Sequence, residues 1–147
     1  MNRMEIQELY QELIIDHGTE PRNCHAMADA THSAKGVNPM CGDRLIVYLK
    51  LDNHEIIDVS FDGQGCAISM ASASIMTEML KGKSIDEARD FFTRFTHLVT
   101  SDDKVENLGK LEALAGVRTY PSRVKCATLA WHALDAALQN EREATTE

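Results

Sequence analysis

Four side chains that lie far apart along the chain place the strongest constraint on its fold. Cysteine is scarce, with 4 in 147 residues, and three of these cysteines stand at predicted turns or helix starts. They are Cys41, Cys66 and Cys126, and Asp43 follows the first of them by two positions. Thiolates and one carboxylate can together form a tetrahedral site for zinc or iron. If the four bind one ion, distant segments must meet at one edge of the fold.

The segment around Cys41 favours an accessible thiol. Pro39 and Gly42 indicate a tight loop, and a strand is predicted to begin directly after it. Side chains two residues apart in a strand face the same side of the sheet. If the extended conformation begins at Cys41, that thiol and Asp43 can therefore face one ion.

The other two cysteines lie where a thiolate would be stabilised. Cys66 follows residues 63–65 at a predicted strand-to-helix junction, and the N-terminus of a helix favours the thiolate form of cysteine. Cys126 falls in the second turn of the last predicted helix. Arg123 and Lys125 would favour a thiolate there if they approach it. Both positions are therefore candidate ligands.

The spacing of the cysteines leaves two interpretations open. The intervals from 41 to 66 and from 66 to 126 are long, and they lack the compact Cys-x-x-Cys pattern of a zinc ribbon. A single cysteine is more often a small buried apolar residue than a ligand. The residues alone are thus compatible with a shared metal site and with separate structural thiols, and they do not separate zinc from iron.

Length and charge narrow the class of protein. A chain of 147 residues suits one domain, over 1–147, that is large enough for a hydrophobic core. The net charge of −8 argues against nucleic acid as a partner and favours a partner with a basic docking surface. The chain has no run of 18 apolar residues and no signal-peptide pattern, which predicts a cytoplasmic protein without a membrane span. In a reducing compartment, cysteines favour metal binding or catalysis over disulfides.

Hydrophobic periodicity and turn signals predict an α+β fold. The predicted helices cover residues 4–17, 67–80, 85–95, 103–114 and 121–140. The predicted strands cover residues 30–37, 44–51 and 55–61, the last two joined as a β-hairpin. Ser84 and Glu87 form a capping-box signature before the third helix. The tail, residues 141–147, is expected to fray.

Three ordered segments of the chain match signature motifs of a known superfamily. They are NPMCGDR at 38–44, GQGCAISMASAS at 63–74 and RVKCATLAW at 123–131. With these motifs the chain resembles the IscU/NifU-N superfamily of iron–sulfur cluster assembly proteins over essentially its whole length. The long segment around 96–118, and Lys125 where IscU scaffolds usually carry histidine, favour the SufU branch.

The resemblance implies a fold and a metal site. The implied fold is of the IscU/SufE-like kind, with a three-stranded antiparallel sheet flanked by helices. The implied site holds Zn²⁺ on Cys41, Asp43, Cys66 and Cys126.

The resemblance also implies a function, which is sulfur transfer rather than self-contained catalysis. A SufS-type, pyridoxal-phosphate-dependent cysteine desulfurase would supply persulfide sulfur, and Cys41 would accept it once a desulfurase histidine replaces it on zinc. Downstream Suf cluster-assembly machinery would receive the sulfur. The residues leave two roles open for Arg123 and Lys125, which are attraction of the incoming persulfide anion and simple surface charge. One alternative is a scaffold that uses the same four ligands to build a transient [2Fe–2S] cluster or bind iron. Another is a binding module with purely structural zinc.

Several other residues have simpler interpretations. Cys24 would replace Asp43 only in an all-cysteine zinc shell, and a free thiol is favoured for it. His17 is expected to pack at the end of the first helix, His25 to lie in a solvated loop and His132 to face solvent. Because no motif places a histidine beside a cysteine, a Cys–His hydrolase has little support.

Overall fold

The computed structural model describes residues 3–146, with side chains described from residue 7 onward. The helices are α1 (Arg3–Thr19), α2 (Ala67–Leu80), α3 (Ile85–Thr100) and α4 (Pro121–Leu138). The strands are β1 (His32–Asn38), β2 (Asp43–Asp52), β3 (Glu55–Gln64) and β4 (Glu143–Thr145), and a 3₁₀-helical segment covers Gly109–Thr119. Within residues 3–146, no helix combines the length and the hydropathy of a membrane span.

The strands form a mixed sheet of four strands in the order β3-β2-β1-β4. β1, β2 and β3 pair antiparallel, whereas β4 runs parallel to β1 along its outer edge. The predicted α+β class is confirmed. The prediction of a three-stranded antiparallel sheet is wrong in detail, because it omits this fourth strand.

The fourth strand comes from the tail that was expected to fray, residues 141–147. Residues Glu143–Thr145 pair with β1, and the Lys35 N–H donates to the Arg142 carbonyl over 2.9 Å. An uncovered edge strand would leave main-chain groups of β1 unpaired, and the tail satisfies them. The tail is polar and short, so its sequence carries no strand pattern of its own.

The β2–β3 hairpin is confirmed and places two of the predicted ligands side by side. Its turn residues, Asn53 and His54, have φ angles of 49° and 66°, as a two-residue type I′ turn requires. Antiparallel pairing puts the start of β2 next to the end of β3. Asp43 and Cys66 therefore come together although 23 positions separate them in the chain.

Helix α2 is the central helix of the fold, and its bounds match the predicted 67–80. The helix packs mainly between α1 and α4. Residues 71–77 are all buried, because small side chains allow neighbours on every side. Met76 lies in the core, and Met70 and Met79 pack against the core.

The region after α2 departs from the prediction in two places. Helix α3 begins at the predicted Ser84 capping box but extends past the predicted 85–95, because Leu98 and Val99 continue its buried face. The helix predicted at 103–114 is replaced by the 3₁₀-helical segment, which starts and ends later. Its two glycines disfavour a continuous α-helix.

Two histidines belong to the interior of the fold. His17 is fully buried at the end of α1, as predicted, and its Nδ1 lies 2.7 Å from Ser74 Oγ. His132 is half-buried and meets the Phe92 ring edge-on at 5.2 Å, so the prediction that it faces solvent is wrong. Burial lowers the pKa of both imidazoles, and the charges of Arg22 and Lys110 lower the pKa of His17 further.

These two histidines should make the protein less stable in mild acid. An imidazole whose pKa is lowered by folding binds its proton more readily in the unfolded chain, so the free energy of unfolding falls as the pH drops below about 6.5. His17→Gln should flatten the curve of stability against pH between about pH 7 and pH 5, while the exposed His25→Gln should follow the wild type. Denaturant unfolding at stepped pH measures this, and identical slopes for all three proteins would contradict it.

Candidate metal centre

The centre lies where the start of β2, the N-terminus of α2 and the second turn of α4 meet. Cys41 is exposed in the turn before β2, and Gly42 takes the left-handed φ of 72° that this turn requires. Asp43 begins β2 and is fully buried, and Cys126 on α4 is 2% exposed. An exposed thiol therefore stands beside two buried ligand atoms.

Three of the four predicted ligands come within one coordination sphere of each other. Single ligand atoms of Cys41, Asp43 and Cys126 all lie within 4.8 Å of one another. The two sulfur atoms, Cys41 Sγ and Cys126 Sγ, are 3.5 Å apart. Two thiolates on a tetrahedral zinc ion stand about 3.8 Å apart, given zinc–sulfur bonds of about 2.3 Å. The donor types and their spacing thus fit zinc.

Cys66 lies at the rim of this group rather than inside it. Its Sγ is 4.0 Å from Asp43 Oδ2, and its main-chain N–H donates to Asp43 Oδ1 over 2.9 Å. As the N-cap of α2, its sulfur also accepts the Ser69 N–H at 3.4 Å. Cys66 therefore both orients the carboxylate and holds an exposed thiol within reach of the same site.

Asn38 is a residue of the centre that the sequence did not single out. It is fully buried at the end of β1, and its Nδ2 group donates to Asp43 Oδ2 at 3.4 Å and to Cys126 Sγ at 3.5 Å. The sequence places it in the motif at 38–44, but only the β1–β2 register shows that it pairs with Asp43.

Comparison with known proteins identifies the family. A family model described as the NifU-like N-terminal domain matches residues 9–145. This chain belongs to the NifU-like N-terminal domain family. The predicted resemblance to the IscU/NifU-N superfamily and its SufU branch is thereby confirmed.

Relatives within the NifU-like N-terminal domain family carry two kinds of name. The chain is 42% identical over 139 residues to the "Zinc-dependent sulfurtransferase SufU" of Bacillus subtilis, covering 92% of this chain and 93% of that protein. It is 38% identical over 141 residues to the "Iron-sulfur cluster assembly scaffold protein IscU" of Streptococcus pyogenes, covering 95% and 88% respectively.

Solved structures support the same assignment. A Fervidobacterium islandicum protein, named as a candidate cluster assembly scaffold for the SUF system, superposes with a TM-score of 0.83 at 33% identity, covering 93% of this chain and 99% of that one. A NifU-like N-terminal structure from Brucella abortus gives a TM-score of 0.84 at 20% identity, covering 92% and 95%, and shows the shared fold alone.

The remaining cysteine stays outside the centre of this NifU-like domain. Cys24 is half-buried and bridges to Phe61 through the main chain, and burial raises its pKa. Among the described residues, the group that could hold a metal contains Asp43 and not Cys24. The all-cysteine shell is therefore not assembled, and the free-thiol interpretation of Cys24 is favoured.

The cations near Cys126 do not act on it as the sequence suggested. The Arg123 guanidinium lies over the Tyr120 ring, 4.8 Å from its centroid, and Lys125 is half-buried. Burial foremost, and then hydrogen bonds within the cysteine–aspartate group, raise the pKa of the Cys126 thiol. The positive charges of Arg123 and Lys125 therefore do not outweigh burial at this position.

The three cysteines should differ in reactivity when the metal is stripped by a chelator. Cys41 and Cys66 are exposed, whereas Cys126 is buried and its raised pKa keeps it protonated at neutral pH. Iodoacetamide should therefore alkylate Cys126 at least about tenfold more slowly than Cys41. Peptide mass spectrometry over time measures this, with guanidinium-unfolded protein as the control in which the rates converge. Equal rates in the folded protein would contradict the prediction.

Proposed function

We propose that this protein is a zinc-dependent acceptor of persulfide sulfur from a cysteine desulfurase in iron–sulfur cluster assembly. The observation that carries the proposal is the asymmetry of the centre. The exposed Cys41 thiol stands 3.5 Å from the buried Cys126 thiol, beside the buried carboxylate of Asp43. Such an arrangement offers the Cys41 thiol to a partner and keeps its two neighbours anchored, while the Cys66 thiol, which is also exposed, is engaged by the Ser69 N–H. The name of the Bacillus subtilis relative supports the same function.

The zinc ion would be held by four side chains, those of Cys41, Asp43, Cys66 and Cys126. Three soft thiolates and one harder carboxylate oxygen form a less closed set than four thiolates, which suits a site that exchanges a ligand. When bound, zinc keeps its cysteine ligands deprotonated at neutral pH. Cys66 stays oriented by the Ser69 N–H, and its own N–H holds the carboxylate.

Cys41 performs the transfer by nucleophilic attack. Its thiolate attacks the terminal sulfur of the partner's cysteine persulfide, and a new sulfur–sulfur bond forms on Cys41. The persulfide bond of the partner breaks, and the partner's cysteine leaves as a thiolate. The electrons balance without an external oxidant or reductant. Exposure of Cys41 and of Met40, which is 72% exposed, gives this turn the access that the step requires.

The donor would be a desulfurase of the SufS type, in the cytoplasm, and Suf cluster-assembly machinery would take the sulfur onward. A groove lined by residues of α1, α2 and α4 supports docking of a protein partner. Ile14, Ile15 and Ile68 contribute to its apolar lining, and Arg123 of α4, three residues before Cys126, also lines it. The net charge of −8 favours a partner with a basic contact surface.

Metal analysis paired with a desulfurase assay tests the function. Protein purified without air should hold about one zinc per chain, and it should stimulate sulfide release by a SufS-type desulfurase. Cys24→Ala is the matched control because it also removes a cysteine, and it should keep both properties. Zinc-loaded protein that leaves desulfurase turnover unchanged would favour structural zinc and contradict the proposal.

A scaffold for a [2Fe–2S] cluster is the second candidate, favoured by the name of the Streptococcus pyogenes relative. The same four ligands would bind the cluster, and the carboxylate of Asp43 would keep it labile. Asp43→Ala should then retain a reconstituted cluster longer than the wild type, followed by visible absorbance under air. Retention no longer than that of the wild type would count against the scaffold.

A further inference from the structure

Asn38 occupies an unusual position behind the metal centre. It is the last residue of β1 and is paired in register with Asp43, the first residue of β2. Its side chain is fully buried, and its amide nitrogen lies between two acceptors, Asp43 Oδ2 at 3.4 Å and Cys126 Sγ at 3.5 Å. One –NH₂ group therefore links the hairpin to α4 at the site.

The other half of the same amide is left unsatisfied. Asn38 Oδ1 is buried and has no hydrogen-bond partner in the part of the chain that the structure describes. A buried acceptor without a partner costs about 1–3 kcal/mol. If Asn38 only filled space, an apolar side chain of similar size would fill it without this cost. The donor half of the amide, which faces the carboxylate and the thiol, accounts for a polar residue here.

The four ligands are held unequally. Asp43 accepts hydrogen bonds from Asn38 Nδ2 and from the Cys66 N–H, and Cys126 accepts one from the same Asn38. Cys66 accepts the Ser69 N–H. Cys41 lies in an exposed turn, and its sulfur contacts that of Cys126 at 3.5 Å.

We propose that Asn38 is a positioning residue that fixes Asp43 and Cys126 as a pair, so that Cys41 is the ligand that leaves the centre. The inference rests on the proposed function, because it explains which thiol is released to meet the persulfide. Two N–H donors of one rigid amide favour the charged carboxylate and the thiolate together. Without these N–H donors, the Asp43 carboxylate and the Cys126 thiolate would lose the group that binds both of them and fixes their relative orientation.

Two substitutions test this role. Asn38→Ala removes the amide, and Asn38→Asp keeps its size while replacing the –NH₂ donor with an acceptor. Ser60→Ala is the matched control, because Ser60 Oγ is also fully buried and unpaired among the described residues but lies on β3, away from the ligands. Zinc affinity should fall about 10- to 100-fold in both Asn38 variants and stay unchanged in Ser60→Ala.

Two further readouts separate positioning from loss of structure. In cobalt-substituted protein, the ligand-field absorption bands should shift in the Asn38 variants but not in Ser60→Ala. In zinc-loaded protein, iodoacetamide should label Cys41 first in the wild type, whereas labelling should spread to Cys126 in Asn38→Ala.

The outcomes distinguish this inference from the proposed function. Unchanged zinc affinity, cobalt bands and labelling in Asn38→Ala, in a wild type that is labelled at Cys41, would overturn the role of Asn38 and leave the sulfur-acceptor function standing. A zinc-loaded wild type that is labelled first at Cys126 or Cys66 would overturn both.

Discussion

Cys41→Ala should lower the rate of sulfur transfer to this protein by about a hundredfold or more, because it removes the exposed nucleophile. The neighbouring thiols replace it poorly. Cys126 is 2% exposed, and Cys66 is engaged by the Ser69 N–H at the start of α2. The measurement is a single-turnover assay with a desulfurase preloaded with persulfide, in which sulfur bound to this chain is quantified over time.

Two controls make the Cys41 result interpretable. Cys24→Ala removes a thiol outside the centre and should transfer sulfur at the wild-type rate. Thermal unfolding of Cys41→Ala should show that the fold is kept, because the exposed turn contributes little to the core. A Cys41→Ala protein that still accepts sulfur at the wild-type rate would rule out Cys41 as the acceptor.

Gly63→Ala should destabilise the protein by about 2–4 kcal/mol and disrupt the centre at the same time. Gly63 has a φ of 133°, and a Cβ atom there would lie 2.1 Å from the Arg44 carbonyl oxygen. The main chain of β2 or β3 must move to relieve this contact. Because Arg44 directly follows Asp43, and Cys66 lies three residues after Gly63, that movement displaces two predicted ligands.

Two other glycines isolate the cause. Gly82 has a φ of 86°, and a Cβ atom added to it would lie in open space, so Gly82→Ala should cost about 1–2 kcal/mol from backbone strain alone. A Cβ atom added to Gly116 would also lie in open space, and Gly116 does not have a left-handed φ. Gly116→Ala should therefore leave the free energy of unfolding almost unchanged. Denaturant unfolding and zinc titration measure the two effects. If Gly63→Ala were as stable as Gly82→Ala and bound zinc normally, the steric effect of the added Cβ atom on the centre would be contradicted.

The sequence predicted those parts of the fold whose signals are local. The hairpin follows from two strand-like segments joined by residues 52–54, and α2 follows from a stretch rich in Ala, Ser and Met that ends before Gly82. The fourth strand has no such signal. Its three residues form a strand because β1 offers an open edge, and this condition exists only in the folded protein.

The same distinction holds for the centre. Residue type and motif singled out four ligands, which are Cys41, Asp43, Cys66 and Cys126. The structure groups three of them and places Cys66 at the rim of the group. Asn38 was missed as a functional residue because an asparagine directly before a proline is typical of a turn. Its contacts with Asp43 and Cys126 depend on the register of β1 with β2 and on the approach of α4, and neither is visible in local sequence.

The position of the transferred sulfur decides whether Cys41 is the acceptor. The zinc-loaded protein is mixed with a cysteine desulfurase and cysteine, alkylated, digested and analysed by mass spectrometry. One additional sulfur atom is expected on the peptide that contains Cys41, and none on the peptides that contain Cys66 or Cys126. Sulfur on either of those cysteines, or desulfurase turnover that leaves all three unmodified, would rule out Cys41 as the sulfur acceptor.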